Sequence, residues 1–331
     1  MSGTDQERVV PGEPGVEAIA RQLTGELLCI GCGYNLRGLS IREVCPECGM
    51  SIRGTLLGIV DPLAEELEEL SWPWLSANGI VMWSGGALLA CISVWLLRID
   101  EIVRARLDVN LGFGAWVSVV GTLALVCSGL GAMTMIRPHM GRVGNRGSTR
   151  WMSMRAGIGV SAYIPLVIMY WVLYHGIDGS VTMPLINPNG NSLERSMLRL
   201  GMFVGVIVIV VGVRPNALKL AMRSVIVRMG RVDRQSMYAL LASFGVAALG
   251  DVFHVVGALS SGSRGVGGVI GDLLMQLHVV LVAVGSVLIT LGLINMLIDT
   301  VRLRPVLRHR GVGLSDVFET NRQKAARQSE T

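Results

Sequence analysis

The sequence predicts a small β-hairpin head followed by an all-α polytopic membrane bundle of about six transmembrane helices. Three observations carry that expectation. Cys29, Cys32, Cys45 and Cys48 stand in a C-x2-C-x12-C-x2-C array near the start of the chain. The remainder of the 331 residues holds six long apolar stretches, and the whole is 51% hydrophobic and 16% charged, with a mean hydropathy of +0.54. Soluble domains carry about 25% charged residues, whereas roughly 20 consecutive apolar residues cross a hydrocarbon core as a helix. Finally, basic residues concentrate in alternate connections between the stretches.

Residues 1–24 are polar, include Pro11 and Pro14, and contain no apolar core of the kind a secretory signal needs. They read as a disordered tail. Residues 25–56 form the head. Each C-x2-C places two thiolates on one tight turn, and two such turns supply four sulfurs to one ion. That closed tetrahedral set suits structural Zn²⁺ and leaves no coordination position for water or substrate, so the head reads as a zinc ribbon. A head of roughly 30 residues has too little core to fold unaided, and the metal contributes its folding free energy. Iron in the same thiolate set is the chemical alternative. Paired disulfides need an oxidising compartment, which the orientation derived below disfavours. Cys91 and Cys127 stand alone in apolar stretches and read as small buried hydrophobes.

The run from Cys29 to Leu39, C-I-G-C-G-Y-N-L-R-G-L, followed by C-P-E-C-G from Cys45 to Gly49, resembles the N-terminal zinc ribbon of uncharacterised multi-pass membrane proteins common in planctomycete-type bacteria. The likeness covers residues 27–50. It implies a metal site and a ribbon-then-helices layout, and implies no activity. Tyr34, Leu36 and Leu39 are expected in the ribbon's small core. Arg37, Arg42 and Arg53 are balanced by Glu26, Glu43 and Glu47. The basic footprint that phosphate backbones require is therefore missing, and nucleic acid is not an expected partner.

Residues 57–76 read as an acidic amphipathic connector, with Leu63, Leu67 and Leu70 set against four glutamates, and with Trp72, Trp74 and Trp83 marking an interfacial entry. The transmembrane domain spans 77–298, with crossings at 79–97, 111–136, 156–174, 196–213, 237–259 and 273–298. Pro165 is expected to kink the third crossing. Arg199 is expected to snorkel to the headgroups and lengthen the short fourth one. Gly201 and Gly205 form a small-x-x-x-small pair suited to seating another helix.

The segment 137–155 carries five arginines and no acid, 214–236 carries six basic residues against Asp233, and the tail 299–331 is basic. The positive-inside rule places these segments in the cytoplasm. Six crossings then leave both termini inside, in a bacterial cytoplasmic membrane, where thiols stay reduced and available to metal. The basic segment 214–236 also carries an apolar thread, which suits an amphipathic helix on the anionic inner leaflet or a cytoplasmic protein partner.

Ionisable groups within apolar crossings are functional candidates because their exposure to lipid is costly. Asp251 and His254 share a face of the fifth crossing, His278 lies at similar depth on the sixth, and His175 ends the third. Four readings stand open. His254 and His278 are axial ligands to a haem; these four residues hold a second metal; they line a proton or substrate path; or they are satisfied structural groups, with Asp251 paired to Ser243 or Gln276. The glycine-rich segment 258–272 lacks the Lys-Ser/Thr end of a phosphate loop, and no G-x-S-x-G or H-E-x-x-H pattern occurs. A non-enzymatic membrane protein is therefore the expectation, its ribbon serving cytoplasmic protein interaction or assembly. The alternative is a membrane oxidoreductase or transporter centred on Asp251, His254 and His278.

Overall fold

The structure is a computed structural model that describes residues 22–59, 70, 72–109, 111–113, 115–136, 146–180, 193–221, 236–260, 266–308 and 317. The expected N-terminal tail, most of the acidic connector, the basic segment beyond residue 221 and most of the C-terminal tail lie outside these residues. Two compact units emerge, one from Met1–Leu67 with Arg310–Thr331, the other from Glu68–His309.

The head unit repeats one device at an interval of sixteen residues. Cys29 N donates to Tyr34 O at 2.8 Å and Gly33 N to Cys29 O at 2.8 Å; likewise Cys45 N donates to Met50 O at 2.7 Å and Gly49 N to Cys45 O at 2.8 Å. Gly33 and Gly49 sit at φ 76° and 72°, in the left-handed region where a side chain is strained. These glycines let each chain reverse immediately after its second cysteine. The expected β hairpins are reduced to isolated antiparallel bridges, Leu28 with Asn35, Val44 with Ser51 and Gln22 with Ser40, and the described residues contain no longer strand. The reason is steric economy. Each turn uses the residues between its two pairing positions, so one bridge closes it.

Helix α1 (Ile52–Ile59) follows, and Leu23, Leu27, Leu36, Ile52 and the two buried cysteines make a miniature core. Tyr34, expected inside, is 40% exposed. Val317 completes the core with no exposed surface; its carbonyl accepts from the N–H groups of Thr24 and Gly25 at 3.1 and 2.8 Å.

Among the described residues the second unit has six crossings, each long and apolar enough to traverse a membrane. They are α2 (Pro73–Leu107), α3 (Ala115–Met133), α4 (Arg146–Ser161) continued by α5 (Tyr163–Trp171), α6 (Leu193–Ala221), α7 (Ser236–Ser260) and α8 (Val266–Arg308). Each crossing packs on its neighbours in sequence, and α8 returns to α2, so the six close into a ring. Large apolar side chains face outward on every one of them, among them Leu89, Leu123, Ile164, Val204, Val256 and Val280. Buried serines and ion pairs lie inside. A soluble bundle shows the reverse arrangement; this one fits hydrocarbon surroundings.

Local chemistry explains the irregular points. The third crossing breaks at Ala162 (ψ −11°), three residues before Pro165, because the proline supplies no N–H and its ring crowds the preceding turn. Past α5 the chain widens into a π-helical turn over Val172–Ile177. Trp83 is no interfacial anchor, being only 4% exposed, whereas Trp72 and Trp74 are 71% and 67% exposed. The Trp83 indole donates to the Tyr163 hydroxyl at 2.9 Å, and Ser128, 2.9 Å from that hydroxyl, donates to the Trp83 carbonyl at 2.7 Å. One hydroxyl proton each closes the cycle, so Tyr163 donates to Ser128 and three crossings are joined with every donor used.

Of the expected pair, Gly201 does seat a neighbour, since a Cβ on it would lie 2.8 Å from Met169 Sδ of α5, but the closest backbone approach between α4 and α6 lies elsewhere, at Gly212 and Gly159. A Cβ on Gly212 of α6 would lie 2.7 Å from Gly159 Cα of α4, backbone against backbone, while one on Gly205 would meet only Leu166 Cδ1 at 3.7 Å.

Candidate functional site

The four head cysteines converge. Their sulfurs lie within 4.8 Å of one another, with Cys29 Sγ to Cys48 Sγ at 3.5 Å and Cys32 Sγ to Cys45 Sγ at 3.6 Å. Four sulfurs at about 2.3 Å from a tetrahedral ion stand about 3.8 Å apart, so the residues fit a metal. Cys29 and Cys45 are buried against the small core, and Cys32 and Cys48 face solvent. The N–H groups of Gly31 and Cys32 point at Cys29, and with its neighbours they lower its thiol to about 6. Although the Tyr34 N–H favours the Cys32 thiolate, burial and the adjoining sulfurs push that thiol up to about 12. Cys48 is likewise raised; the Met50 N–H and Cys32 lower it, but Cys29, burial and Cys45 prevail. Cys29 thus ionises readily, while Cys32 and Cys48 hold their protons until a cation arrives.

A second set of polar groups gathers at the end of the bundle carrying Leu107, Leu193, Ser260 and Val266, here called the charged end. Helix α2 runs straight through the segment 98–107, which places Arg98 and Glu101 on its face. Arg98 donates to Glu101 at 3.2 Å and to Asp178 at 2.8 Å. Asp178 also takes Arg195 side-on, Nε to Oδ1 at 3.1 Å and Nη2 to Oδ2 at 3.2 Å. One turn further along α6, Arg199 reaches Asp251 at 2.6 Å, with side chains only 10% and 0% exposed. Arg199 is therefore an internal counter-ion and does not snorkel. Three arginines face three carboxylates, and the network is electrically balanced.

Asp251, His254 and His278 do come together. The two imidazole centroids are 4.8 Å apart with planes at 47°. His254 Nδ1 is 2.9 Å from Ser196 Oγ. His278 Nδ1 donates to the Gly250 carbonyl at 3.0 Å, which fixes its tautomer because a carbonyl only accepts. The same nitrogen lies 3.9 Å from Asp251 Oδ1. His175 has separate partners, Ser118 at 3.0 Å and the Trp171 ring stacked at 4.0 Å. Ser243, a candidate partner for Asp251 by sequence, donates to the Ala239 carbonyl instead.

Two imidazoles bound across one iron would stand about 6 Å apart, ring centre to ring centre, at metal–nitrogen distances of about 2 Å. His254 and His278 touch each other with their Nδ1 atoms engaged, so no haem fits between them. Among the described residues the four cysteines are the only group of three or more ligand-type side chains close enough to share an ion.

At the centre of the ring lies a cavity of about 470 Å³ to which every crossing contributes, for example through Trp83, Leu125, Tyr170, Arg199, Asp251 and His278. Its walls are apolar, and Arg98, Tyr174, Arg199, Asp251 and His278 collect at the charged end.

No motif in the sequence singles out Arg98, Asp178 or Arg195. The available signal was the pair Arg195 and Arg199, one turn apart on a helix face that also carries Ser196. No protein-family model, curated protein or solved structure matches the chain.

Proposed function

We propose that the chain is a multi-pass protein of the bacterial cytoplasmic membrane whose head is a Zn²⁺-stapled ribbon that docks a cytoplasmic protein and has no catalytic role. The observation that carries this reading is the closed four-sulfur set on two repeating turns. With all four positions taken by protein, the ion would be a staple and would offer no site to a substrate. Thiolate ligands and the basic segments 137–155 and 214–236 both favour a cytoplasmic head. Equivalent positions of the two turns, Leu28 with Val44 and Tyr34 with Met50, leave apolar side chains at least 38% exposed, which supports a protein partner.

Metal analysis and an absorption spectrum of the purified full-length protein test the ion. One zinc per chain and a featureless visible spectrum are expected; a thiolate-to-iron band would replace zinc by iron. A photo-crosslinker at Leu28 or Val44 in living cells is expected to yield a discrete protein adduct. Adducts confined to lipid would remove the docking role.

A second reading is favoured by the convergence of Asp251 and His278 on the central cavity. In it the bundle carries a substrate past those groups. The contact between His254 and His278 argues against the haem form of this reading.

A further inference from the structure

The central cavity combines features whose sum specifies a ligand class. Its long walls are hydrocarbon and aromatic, with Trp95, Phe203 and Phe244 among them, and its volume falls in the range of about 300–1,000 Å³ typical of small-molecule sites. Its charged groups and His278 are confined to one end. There Arg199 lines the space with a side chain 10% exposed; its Nη2 serves Asp251 and Ser196, while its buried Nε–H has no hydrogen-bond acceptor among the described residues. An unspent guanidinium donor in a dry site is costly unless an acceptor arrives.

Charge decides the kind of acceptor. Arg199 is already neutralised by Asp251, and Arg98 by Glu101 and Asp178. A net anion would add an uncompensated charge to a balanced, desolvated network. A carbonyl oxygen would take the Nε–H without that cost. Access points the same way. Ile102 on α2 and Val279 on α8 line the cavity yet are 47% and 56% exposed, so the mouth opens sideways between the first and last crossings, on the apolar outer face of the bundle.

We propose that this cavity binds a neutral single-tailed amphiphile, its head carbonyl accepting from Arg199 Nε–H and its tail lying along the apolar walls. This builds on the second reading above, but binding without transport leaves it standing. Two sources share that chemistry, an acyl ester of glycerol and a lipid-soluble quinone, and the experiment separates them. Delipidated full-length protein in detergent is titrated with a radiolabelled long-chain monoacylglycerol, a decyl-tailed benzoquinone and, as a charged comparator, a long-chain fatty acid anion.

Saturable binding of at least one neutral probe is expected, with the preferred probe naming the source. The double variant Arg199→Leu/Asp251→Leu removes the donor without stranding a charge and is expected to weaken binding about ten- to a hundredfold. Should that variant fail to fold, Ala87→Phe, which fills the cavity wall from α2, is expected to abolish binding by itself. Three results overturn the proposal: no saturable binding of either neutral probe, binding unchanged in these variants, or tightest binding of the anion. Flux assays in vesicles separate the two ideas. Binding without flux removes only the transport reading, and flux of the anion without saturable binding of either neutral probe removes only the amphiphile proposal.

Discussion

Replacing Gly212 with alanine probes how the third and fourth crossings meet. The added Cβ would lie 2.7 Å from Gly159 Cα, 2.8 Å from the Arg155 carbonyl oxygen and 3.0 Å from Gly159 N. Non-bonded carbon contacts settle at about 3.5–4.0 Å, so α4 and α6 must part by about 1 Å along a backbone that cannot rotate away. Overpacking of this kind costs about 1–3 kcal/mol, and alanine's better helical propensity returns about 1 kcal/mol. A net loss of about 0–2 kcal/mol follows from those two figures. Gly205→Ala supplies the internal control, because its Cβ meets only Leu166 at 3.7 Å and 3.8 Å; it is expected to be neutral or stabilising by up to about 1 kcal/mol. Equilibrium unfolding of the purified protein in mixed micelles, followed by helical circular dichroism across a denaturing-detergent series, measures both. Gly212→Ala as stable as the parent, with Gly205→Ala the damaging change, would refute the glycine contact and with it the register of α4 on α6.

Other expectations concern the head and the ion pair. Cys29 is ionised above a pH of about 6, whereas Cys32, pushed up to about 12, and Cys48, also raised, keep their protons. Metal must displace those protons, so affinity should rise with pH and fall steeply as pH drops through about 6, where Cys29 too is protonated. Fewer than four protons should leave per ion at neutral pH, and calorimetry in buffers of differing ionisation enthalpy counts them; four released protons would contradict a preformed Cys29 thiolate. Val317→Asp places a charge in the head core and should destabilise that unit by about 2–4 kcal/mol. It should also speed proteolysis of the head, and unchanged protection would show that Val317 does not belong to that core. At the charged end, Arg199→Leu and Asp251→Leu should each cost about 3–5 kcal/mol while the double change costs far less. Additive losses in a double-mutant cycle would mean the two groups do not act as a pair.

Much of this molecule was legible because its strongest signals are one-dimensional. Six apolar stretches announce six helices, since a backbone in lipid must satisfy its own hydrogen bonds. Pro165 marks the break at Ala162 for a purely local reason. The four cysteines disclose their convergence because a C-x2-C turn leaves two sulfurs few other directions. Reading failed where a residue's role depends on what lies across the bundle. Arg199 looked like a snorkelling cation at a helix end, but Asp251 sits opposite it. Gly201 and Gly205 do face the third crossing, against Met169 and Leu166, but the two backbones meet two to three turns further along the same face, at Gly212 and Gly159. Val317 sits far down the chain, and no spacing rule links it to Thr24 and Gly25.

The amino-acid order alone thus determined the inventory: a four-thiolate head, six lipid-length helices and a few ionisable groups among apolar ones. Hydrophobicity, helical period and turn geometry act over a few residues, and the chain cannot avoid them. Only the tertiary structure decided which groups became partners. Closing the six helices into a ring fixed their rotations, and those rotations brought Arg199, Asp251 and His278 to one end of a shared cavity.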